Sequence, residues 1–399
     1  IYFCKVLEAA MSQTFSYMFP AHVRFGVGAV HAIAQESKQL WGTRTLIISD
    51  HGVVAAGLLK PVTRILDDAD IGYDICDKVA PNPTDTFVEE TAARFRSDGH
   101  NLLIALGGGS VIDAAKGTQI RMTHPGHIRD YFVSGEGDQK IIPNMPPLIA
   151  LPTTSGTGSE TSAAAVLTDT RDNVKKAVYS PHIRPAVAIV DPELTLGLPP
   201  AITAATGMDA LTHCIEASVC KYYSPIGKAI ALGGIELVTK SLVHAFEQGD
   251  DIDARTDMAM AAVMGGFAFG TGGGLGTVHA MAHQLSTEIG LPHGTANAIL
   301  LPHVMAFNGE EHAEAYVPVA RALGVDSSGM NASEATQAAI AAVRTLCDRL
   351  AIPQNLRDTG ITQDHIARMV PQAMTDVCLR QNPRRCAVND IKELYEQAL

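Results

Sequence analysis

The chain is poor in cysteine, and its cysteines lack the spacing that disulfide frameworks and zinc knuckles require. Seven cysteines are scattered over 399 residues, and none of them forms a Cys-x-x-Cys pair. An odd number of dispersed thiols favours a reducing compartment over a secreted, disulfide-bonded scaffold. We therefore expect a cytoplasmic protein with reduced cysteines.

Clusters of basic residues and long apolar segments are also lacking. Thirty Lys and Arg residues face 42 Asp and Glu residues, which gives a formal net charge of -12. A nucleic-acid surface needs clustered positive charge, so we expect no nucleic-acid partner. No apolar run has the length of a membrane span, so we expect no membrane partner. Residues 1–10 precede Met11 without a signal-peptide layout, and we expect them to be foreign to the native chain.

The first half of the chain alternates short apolar runs with segments of helical periodicity. Such alternation is typical of an α/β domain with a doubly wound parallel sheet. We predict one or two strands within 12–25 and further strands at 45–50, 72–76, 101–106, 148–151 and 186–191. We predict helices over about 30–40, 53–69 and 85–97, the last capped by Thr84, and another that starts at Val111.

The composition and the apolar periodicity of the sequence change near residue 198. Alanine, leucine and methionine then recur at helical spacing, and β-branched runs become scarce. The pattern predicts two domains, an α/β domain over 12–197 and an all-α domain over 198–399.

Two glycine- and hydroxyl-rich loops each follow a predicted strand of the sheet. The first is Gly107, Gly108, Gly109 and Ser110 before a helix, and the second spans 152–160. Glycines let backbone N–H groups approach a phosphate, and a helix N-terminus adds partial positive charge. Two such loops at strand ends indicate a crevice for a dinucleotide.

Asp50 lies at the end of an earlier predicted strand. A carboxylate there accepts both hydroxyls of an adenosine ribose and repels a 2′-phosphate. The alternative is an ordinary helix-capping aspartate. With both loops present, we favour the ribose role and therefore NAD over NADP.

Three histidines lie close together at positions 279, 283 and 293. On a helix His279 and His283 share one face, while Gly290 and Pro292 place His293 on a loop or at a new helix start. Asp209 and His213 show the same i, i+4 spacing. One carboxylate and several imidazoles suit Fe(II) or Zn(II), and the lack of thiolate argues against a soft metal. Spacing alone leaves open which histidines bind metal and whether they are ordinary core residues.

Four motifs in order resemble the iron-containing (group III) alcohol dehydrogenases of the dehydroquinate synthase-like superfamily. They begin at Gly107, Pro152, Gly207 and His279, and the resemblance covers nearly the whole chain from about residue 14. It implies an N-terminal dinucleotide-binding domain, a C-terminal metal-binding domain and a metal in the cleft between them.

The resemblance also implies roles for individual residues. The metal ligands would be Asp209, His213, His279 and His293, and His283 would be the catalytic proton carrier. The expected contacts with NAD are Asp50, Asn82, Gly107, Gly108, Gly109, Ser110, Asp113, Thr153, Thr154, Thr157, Lys176 and Leu194.

The implied reaction is a metal-dependent hydride transfer between NAD(H) and a small primary alcohol or aldehyde, in a homodimer or larger homo-oligomer. The metal would polarise the substrate oxygen. A maleylacetate-type keto acid reductase and a dehydroquinate synthase-like lyase are the alternatives. The first lacks the full ligand set, and the second needs a denser set of Lys and Arg.

Overall fold

A six-stranded parallel sheet forms the core of the N-terminal half in the computed structural model, which describes residues 22–133, 140–222 and 224–399. The predicted strand positions before residue 22, like residues 1–10, lie outside these ranges. The sheet strands are β1 (His22–Phe25), β2 (Arg44–Ile48), β3 (Gly72–Cys76), β4 (Leu102–Gly107), β5 (Leu148–Pro152) and β8 (Val187–Val190). A separate antiparallel hairpin comprises β6 (Ala164–Asp169) and β7 (Val174–Tyr179).

The strand order is β1-β8-β5-β4-β2-β3, and every pairing in the sheet is parallel. The chain runs from β2 outward to β3 and then returns to place β4 on the other side of β2. The order therefore reverses between β2 and β4, which is where open α/β sheets bind ligands, beyond the carboxyl ends of the strands.

Helices cover both faces of the sheet because its central strands are apolar on both sides. On one face of the sheet, Ile47 and Ile104 pack with the helix residues Ile33 and Val62. On the other face, Leu46 belongs to a second apolar cluster. The helices of this half are α1 (Ile33–Gln39), α2 (His51–Ala55), α3 (Leu59–Asp68), α4 (Asp85–Ser97) and α5 (Gly109–Thr123).

The C-terminal half is helical and contains one large apolar cluster. Its helices are α6 (Pro200–Val219), α7 (Pro225–Glu247), α8 (Ile252–Ala268), α9 (Thr277–Glu288), α10 (His293–Ala322), α11 (Ala332–Arg349), α12 (Gln363–Ala373) and α13 (Val388–Ala398). Helix α10 is kinked at His312, where the backbone leaves the helical region. A parallel α/β half followed by a helical half confirms the predicted fold class.

Three local predictions differ from the structure. The single helix expected over 53–69 is broken into α2 and α3 because Gly57 adopts a positive φ of 76°. The β6–β7 hairpin was not predicted. Residues Phe269–Gly273, for which no element was predicted, form a π-helical turn that continues α8.

Helix α7 has the length and composition of a membrane span, unlike any other helix in the described ranges. It packs between α6 and α8, and 44% of its apolar window is buried. The expectation that no apolar run reaches this length was therefore too strict, because a core helix can meet the same criterion.

The two halves approach each other most closely where two glycines meet. Gly158, in the loop after β5, has a φ of +61°. A Cβ on Gly266 of α8 would lie only 2.6 Å from the Gly158 carbonyl oxygen and 2.2 Å from Thr161 Oγ1. The backbone of the loop after β5 therefore rests directly on the backbone of α8.

Candidate metal and cofactor site

Helix α6 brings a carboxylate and an imidazole to the cleft between the two halves. Asp209 and His213 are one turn apart on the same face, and their side chains are 3% and 6% exposed. The helix begins at Pro200 and is rich in small and apolar residues, so almost all of it is buried. An aspartate and a histidine are retained in such surroundings only when each has partners.

Helices α9 and α10 supply the three other histidines. His279 and His283 lie one turn apart on α9, and His293 is the first residue of α10 after Pro292. Gly294 lets the start of α10 reach α6, because a Cβ there would lie 1.8 Å from the Ala205 carbonyl oxygen.

Nitrogens of three histidines lie near one oxygen of Asp209. Asp209 Oδ1 lies 3.7 Å from His213 Nε2, 3.6 Å from His279 Nε2 and 3.7 Å from His293 Nε2. Ligand atoms about 2.1 Å from a tetrahedral metal are roughly 3.4 Å apart. The ligand atoms of Asp209, His213 and His279 all lie within 4.8 Å of one another, so their spacing fits a metal ion, and His293 Nε2 lies beside the same carboxylate.

Each of two inner histidines is oriented by a hydrogen bond at its other nitrogen. His279 Nδ1 lies 2.6 Å from Glu216 Oε2, and His213 Nδ1 lies 3.2 Å from the Gly156 carbonyl oxygen. In the tautomer with the proton on Nδ1, the lone pair lies on Nε2, the nitrogen nearer Asp209 Oδ1. Metal binding needs this tautomer.

Glu216 also stabilises the start of α9. Its two carboxylate oxygens accept hydrogen bonds from the backbone N–H groups of Gly276 and Val278, at 2.9 and 2.8 Å. A carboxylate at a helix N-terminus satisfies N–H groups that lack helical partners. One buried carboxylate therefore fixes both the helix and the ring of its first histidine.

The pKa values of the cluster follow from burial and mutual charge. Burial lowers the pKa of His213 to about 4, against the attraction of Asp209. Burial also puts the pKa of His293 well below its ordinary value. Burial opposes protonation of His279 as well, but Glu216 and Asp209 raise its pKa to about 9. Burial would raise the pKa of Asp209, yet His213 and His293 hold it well below its usual range.

Asn297 closes one side of the cluster. Its Nδ2 donates to Asp209 Oδ1 at 2.7 Å and lies 3.4 Å from His279 Nε2 and 3.3 Å from His293 Nε2. The side chain is fully buried. Because its amide lies over the face bounded by these three residues, a substrate oxygen has to approach from another side.

His283 differs from the other histidines in its partner. Its Nδ1 lies 2.8 Å from Asp376 Oδ2, and its ring stacks on His293 at a centroid distance of 5.2 Å. Burial raises the pKa of Asp376, but the His283 charge outweighs it and lowers that pKa overall. Asp376 therefore holds Nδ1 of His283, and the ring lines the cleft.

The two predicted phosphate loops touch each other beyond the carboxyl ends of β4 and β5. Gly108 caps α5, and Gly109 is its first residue. A Cβ on Gly109 would lie 2.5 Å from Thr157 Cγ2, and one on Gly108 would lie 3.3 Å from Thr154 Oγ1. The close approach of the second loop therefore favours glycine at 108 and 109 even without a bound ligand.

A cleft of about 790 Å³ joins these loops to the histidine cluster. Of the predicted cofactor residues, Asn82, Gly109, Ser110, Asp113, Thr157 and Lys176 line it. Gly107 and Thr153 end or follow adjacent strands. Asp50 caps α2 by accepting the Val53 N–H at 2.9 Å, beyond the end of β2.

Three predicted cofactor residues have other contacts. Both oxygens of Asp113 accept hydrogen bonds, from Ser159 Oγ and the Val166 N–H. The Leu194 side chain is buried in a core layer beside the sheet. Lys176 Nζ lies 2.9 Å from Asp169 and 2.7 Å from Asp172. The cofactor role stays a prediction for these residues, as it does for the others.

Lys175, which was not predicted, lines the same cleft. It precedes Lys176 on β7, so the two side chains point to opposite faces of the hairpin. Burial lowers the pKa of Lys175 to about 8, although Asp113, Asp209 and Asp376 favour its charge. Had a strand been predicted here, the alternation of side chains along it would have placed Lys175 and Lys176 on opposite faces.

Comparison with known proteins follows the same division of the chain. The family model described as iron-containing alcohol dehydrogenase matches residues 20–192. The model for the C-terminal part of the iron-containing alcohol dehydrogenase family matches residues 203–399.

Individual relatives span nearly the full chain. The 1,3-propanediol dehydrogenase of Klebsiella pneumoniae is 37% identical over 97% of this chain and 99% of its own length. The NAD-dependent methanol dehydrogenase of Bacillus methanolicus is 36% identical over 96% of this chain and 100% of its own. A crystal structure of a 1,3-propanediol oxidoreductase superposes with a TM-score of 0.93 at 37% identity, over 97% of this chain and 100% of the other.

Proposed function

Because this chain belongs to the iron-containing alcohol dehydrogenase family, we propose that it transfers a hydride between NAD(H) and a small primary alcohol or aldehyde in a metal-dependent reaction. The chain is an oxidoreductase of the alcohol dehydrogenase type. The substrate class, the cofactor and the residues that perform the reaction are proposed below from the side chains of the cleft.

The observation that carries the proposal is that His213, His279 and His293 each place a nitrogen near one oxygen of Asp209. Three nitrogens lie 3.6–3.7 Å from a single carboxylate oxygen. Nitrogen and oxygen donors without sulfur suit Fe(II) or Zn(II), and availability decides between them. When bound, the metal polarises the substrate oxygen while the nicotinamide accepts or donates the hydride.

The side chains around the metal ligands hold them and restrict the approach of substrate. Glu216 keeps His279 in the required tautomer, and Asn297 fixes Asp209 Oδ1. His283 lies one turn beyond His279 and faces the cleft. We assign it the proton exchange, with Asp376 holding its Nδ1 and stabilising the imidazolium that forms.

The cofactor is proposed to lie across the switch point between β2 and β4. The start of α5 at Gly109 and Ser110 offers backbone N–H groups to the pyrophosphate. We assign Asp50, beyond the end of β2, to the adenosine ribose, where its charge would disfavour a 2′-phosphate and make NAD the expected cofactor. The relative from Bacillus methanolicus is named as NAD-dependent.

The two alternative reactions are less well supported. A maleylacetate-type reductase lacks the complete set of four ligands, which this chain has. A dehydroquinate synthase-like lyase needs a dense set of free basic residues around its substrate, whereas three of the basic residues in this cleft, Arg129, Arg171 and Lys176, pair with aspartates. We further propose a cytoplasmic homo-oligomer, a dimer or larger, without a nucleic-acid or membrane partner.

The test removes the metal with a chelator and restores Fe(II) or Zn(II) while NADH absorbance is followed with short alcohols and aldehydes. We expect turnover to disappear and to return with metal. Asp209→Ala and His279→Ala should lose the metal but retain the fold. Turnover that survives complete removal of metal, or unchanged metal content in both variants, would contradict the proposal.

A further inference from the structure

A second cluster of potential metal ligands lies beside the first. It contains His283, Asp376 and Cys378, with one nitrogen, one oxygen and one sulfur atom all within 4.8 Å of one another. All three residues line the cleft, where the side chains of His283 and Asp376 are 12% and 9% exposed. Solvent can therefore reach the cluster from the substrate side.

Local structure holds these three donors in place. Asp376 caps the short 3-10 helix Val377–Gln381 by accepting the Cys378 N–H on Oδ1 at 2.9 Å. The other oxygen of the same carboxylate faces His283 Nδ1 at 2.8 Å. The cap fixes the thiol and the carboxylate on one side, and α9 fixes the imidazole on the other.

We propose that His283, Asp376 and Cys378 form a second metal site, for Zn²⁺ or a softer divalent cation such as Cd²⁺, and that its occupation inhibits the enzyme. Sulfur sets this site apart, because thiolate favours zinc-like and softer ions, whereas the first site offers only nitrogen and oxygen. Three protein ligands leave a fourth position for water from the cleft.

Binding at this second site has two costs. The contact between His283 and Asp376 has to widen from 2.8 Å to roughly 3.4 Å, the edge of a tetrahedral site. The Cys378 thiol, whose pKa burial raises well above its ordinary value, must release its proton to solvent as the S–metal bond forms. The second site should therefore fill only when metal exceeds the amount that the first site takes.

The inhibitory effect rests on the proposed function, whereas the binding does not. A cation on Nδ1 of His283 breaks the 2.8 Å contact with Asp376 that holds this ring in place. It also occupies the cleft that the substrate has to enter, beside His293, on which the His283 ring stacks. Excess zinc would thus stop the enzyme through a site separate from the metal that catalyses the reaction.

The experiment loads the whole enzyme with one equivalent of Zn²⁺ and then titrates Cd²⁺ while the ultraviolet absorption of cadmium–thiolate bonds is recorded. The first site has no thiolate, so the band reports only a cysteine-containing site, even if Cd²⁺ displaces zinc. We expect the band to saturate at one equivalent and to vanish in Cys378→Ser. The matched control is Cys386→Ser, another half-buried thiol, hydrogen-bonded to Thr277, which should keep the band.

Activity with and without excess Zn²⁺ is then compared within each variant. Cys378→Ser should raise the inhibitory concentration at least about tenfold, because even the loss of an orienting partner costs a metal site 10–100-fold. A missing cadmium band, or one that persists in Cys378→Ser, would overturn the second site whatever the enzyme's substrate. A cadmium band without inhibition would overturn the inhibitory role and leave the proposed function untouched.

Discussion

Replacement of Glu216 by Gln gives a sharp test of how the metal site is built. The carboxylate accepts three hydrogen bonds, from the Gly276 and Val278 N–H groups and from His279 Nδ1, at 2.9, 2.8 and 2.6 Å. A glutamine has one accepting oxygen, and its NH₂ group cannot accept. Whichever way the amide turns, at least one buried N–H group loses its acceptor.

The expected losses can be worked out separately for folding and for metal. One unsatisfied buried donor should lower the free energy of unfolding of the metal-free protein by about 1–3 kcal/mol. A neutral amide also orients His279 less firmly than a carboxylate. Loss of such an outer-shell partner weakens metal binding by about 10–100-fold, or about 1.4–2.8 kcal/mol.

Two assays measure these quantities for Glu216→Gln. Urea unfolding of the metal-free protein gives the stability, and competition with a chromophoric chelator gives the metal affinity. The matched control is Glu334→Gln, which removes an exposed capping carboxylate from α11, far from the cleft. If Glu216→Gln binds metal as tightly as Glu334→Gln, the assigned positioning role of Glu216 is refuted.

Three further variants test other parts of the site. Gly109→Ala should weaken NADH binding in a fluorescence titration and leave metal content unchanged. Its Cβ would lie 2.5 Å from Thr157 Cγ2 and would push the second loop away, which costs about 1–3 kcal/mol of binding free energy. Asn297→Ala should lower metal affinity about tenfold in chelator competition, because Asp209 loses its 2.7 Å donor. Burial raises the pKa of Glu160 from 4.5 to about 7. The folded state therefore favours the protonated carboxyl, and this residue costs stability increasingly as pH rises from about 4.5 to 7. Glu160→Gln should remove that cost, so urea unfolding should show a free energy of unfolding higher than that of the unaltered protein by up to about 3 kcal/mol above pH 7 and by little below pH 4.5. A difference between the two proteins that does not change with pH would contradict the raised pKa of Glu160.

The fold was predictable because the patterns that encode it are local. Apolar runs such as 101–106 followed by glycines predict buried strands and tight turns from adjacent residues. The same holds for Thr84, whose side chain accepts the Phe87 N–H at 3.2 Å and starts α4. The hairpin of β6 and β7 was missed because its strands are mixed in polarity.

The partners of the histidines were not predictable from spacing. Glu216 lies 63 residues from His279, and Asp376 lies 93 residues from His283. Only tertiary packing brings such pairs together, and no periodic signal marks them. The choice between Lys175 and Lys176 similarly depends on the phase of a strand that the sequence did not reveal.

The contact between Gly158 and Gly266 has a consequence for the design of variants with new substrates. With backbone resting on backbone, no side chain can be trimmed to create space, and any side chain added there would separate the cofactor loop from the helix that leads to the substrate end of the cleft. A side chain that reshapes the cleft should therefore be added at the glycine-rich turn after α8, where a Cβ on Gly270, which lines the cleft, would meet an Arg184 nitrogen at 4.0 Å and no nearer atom.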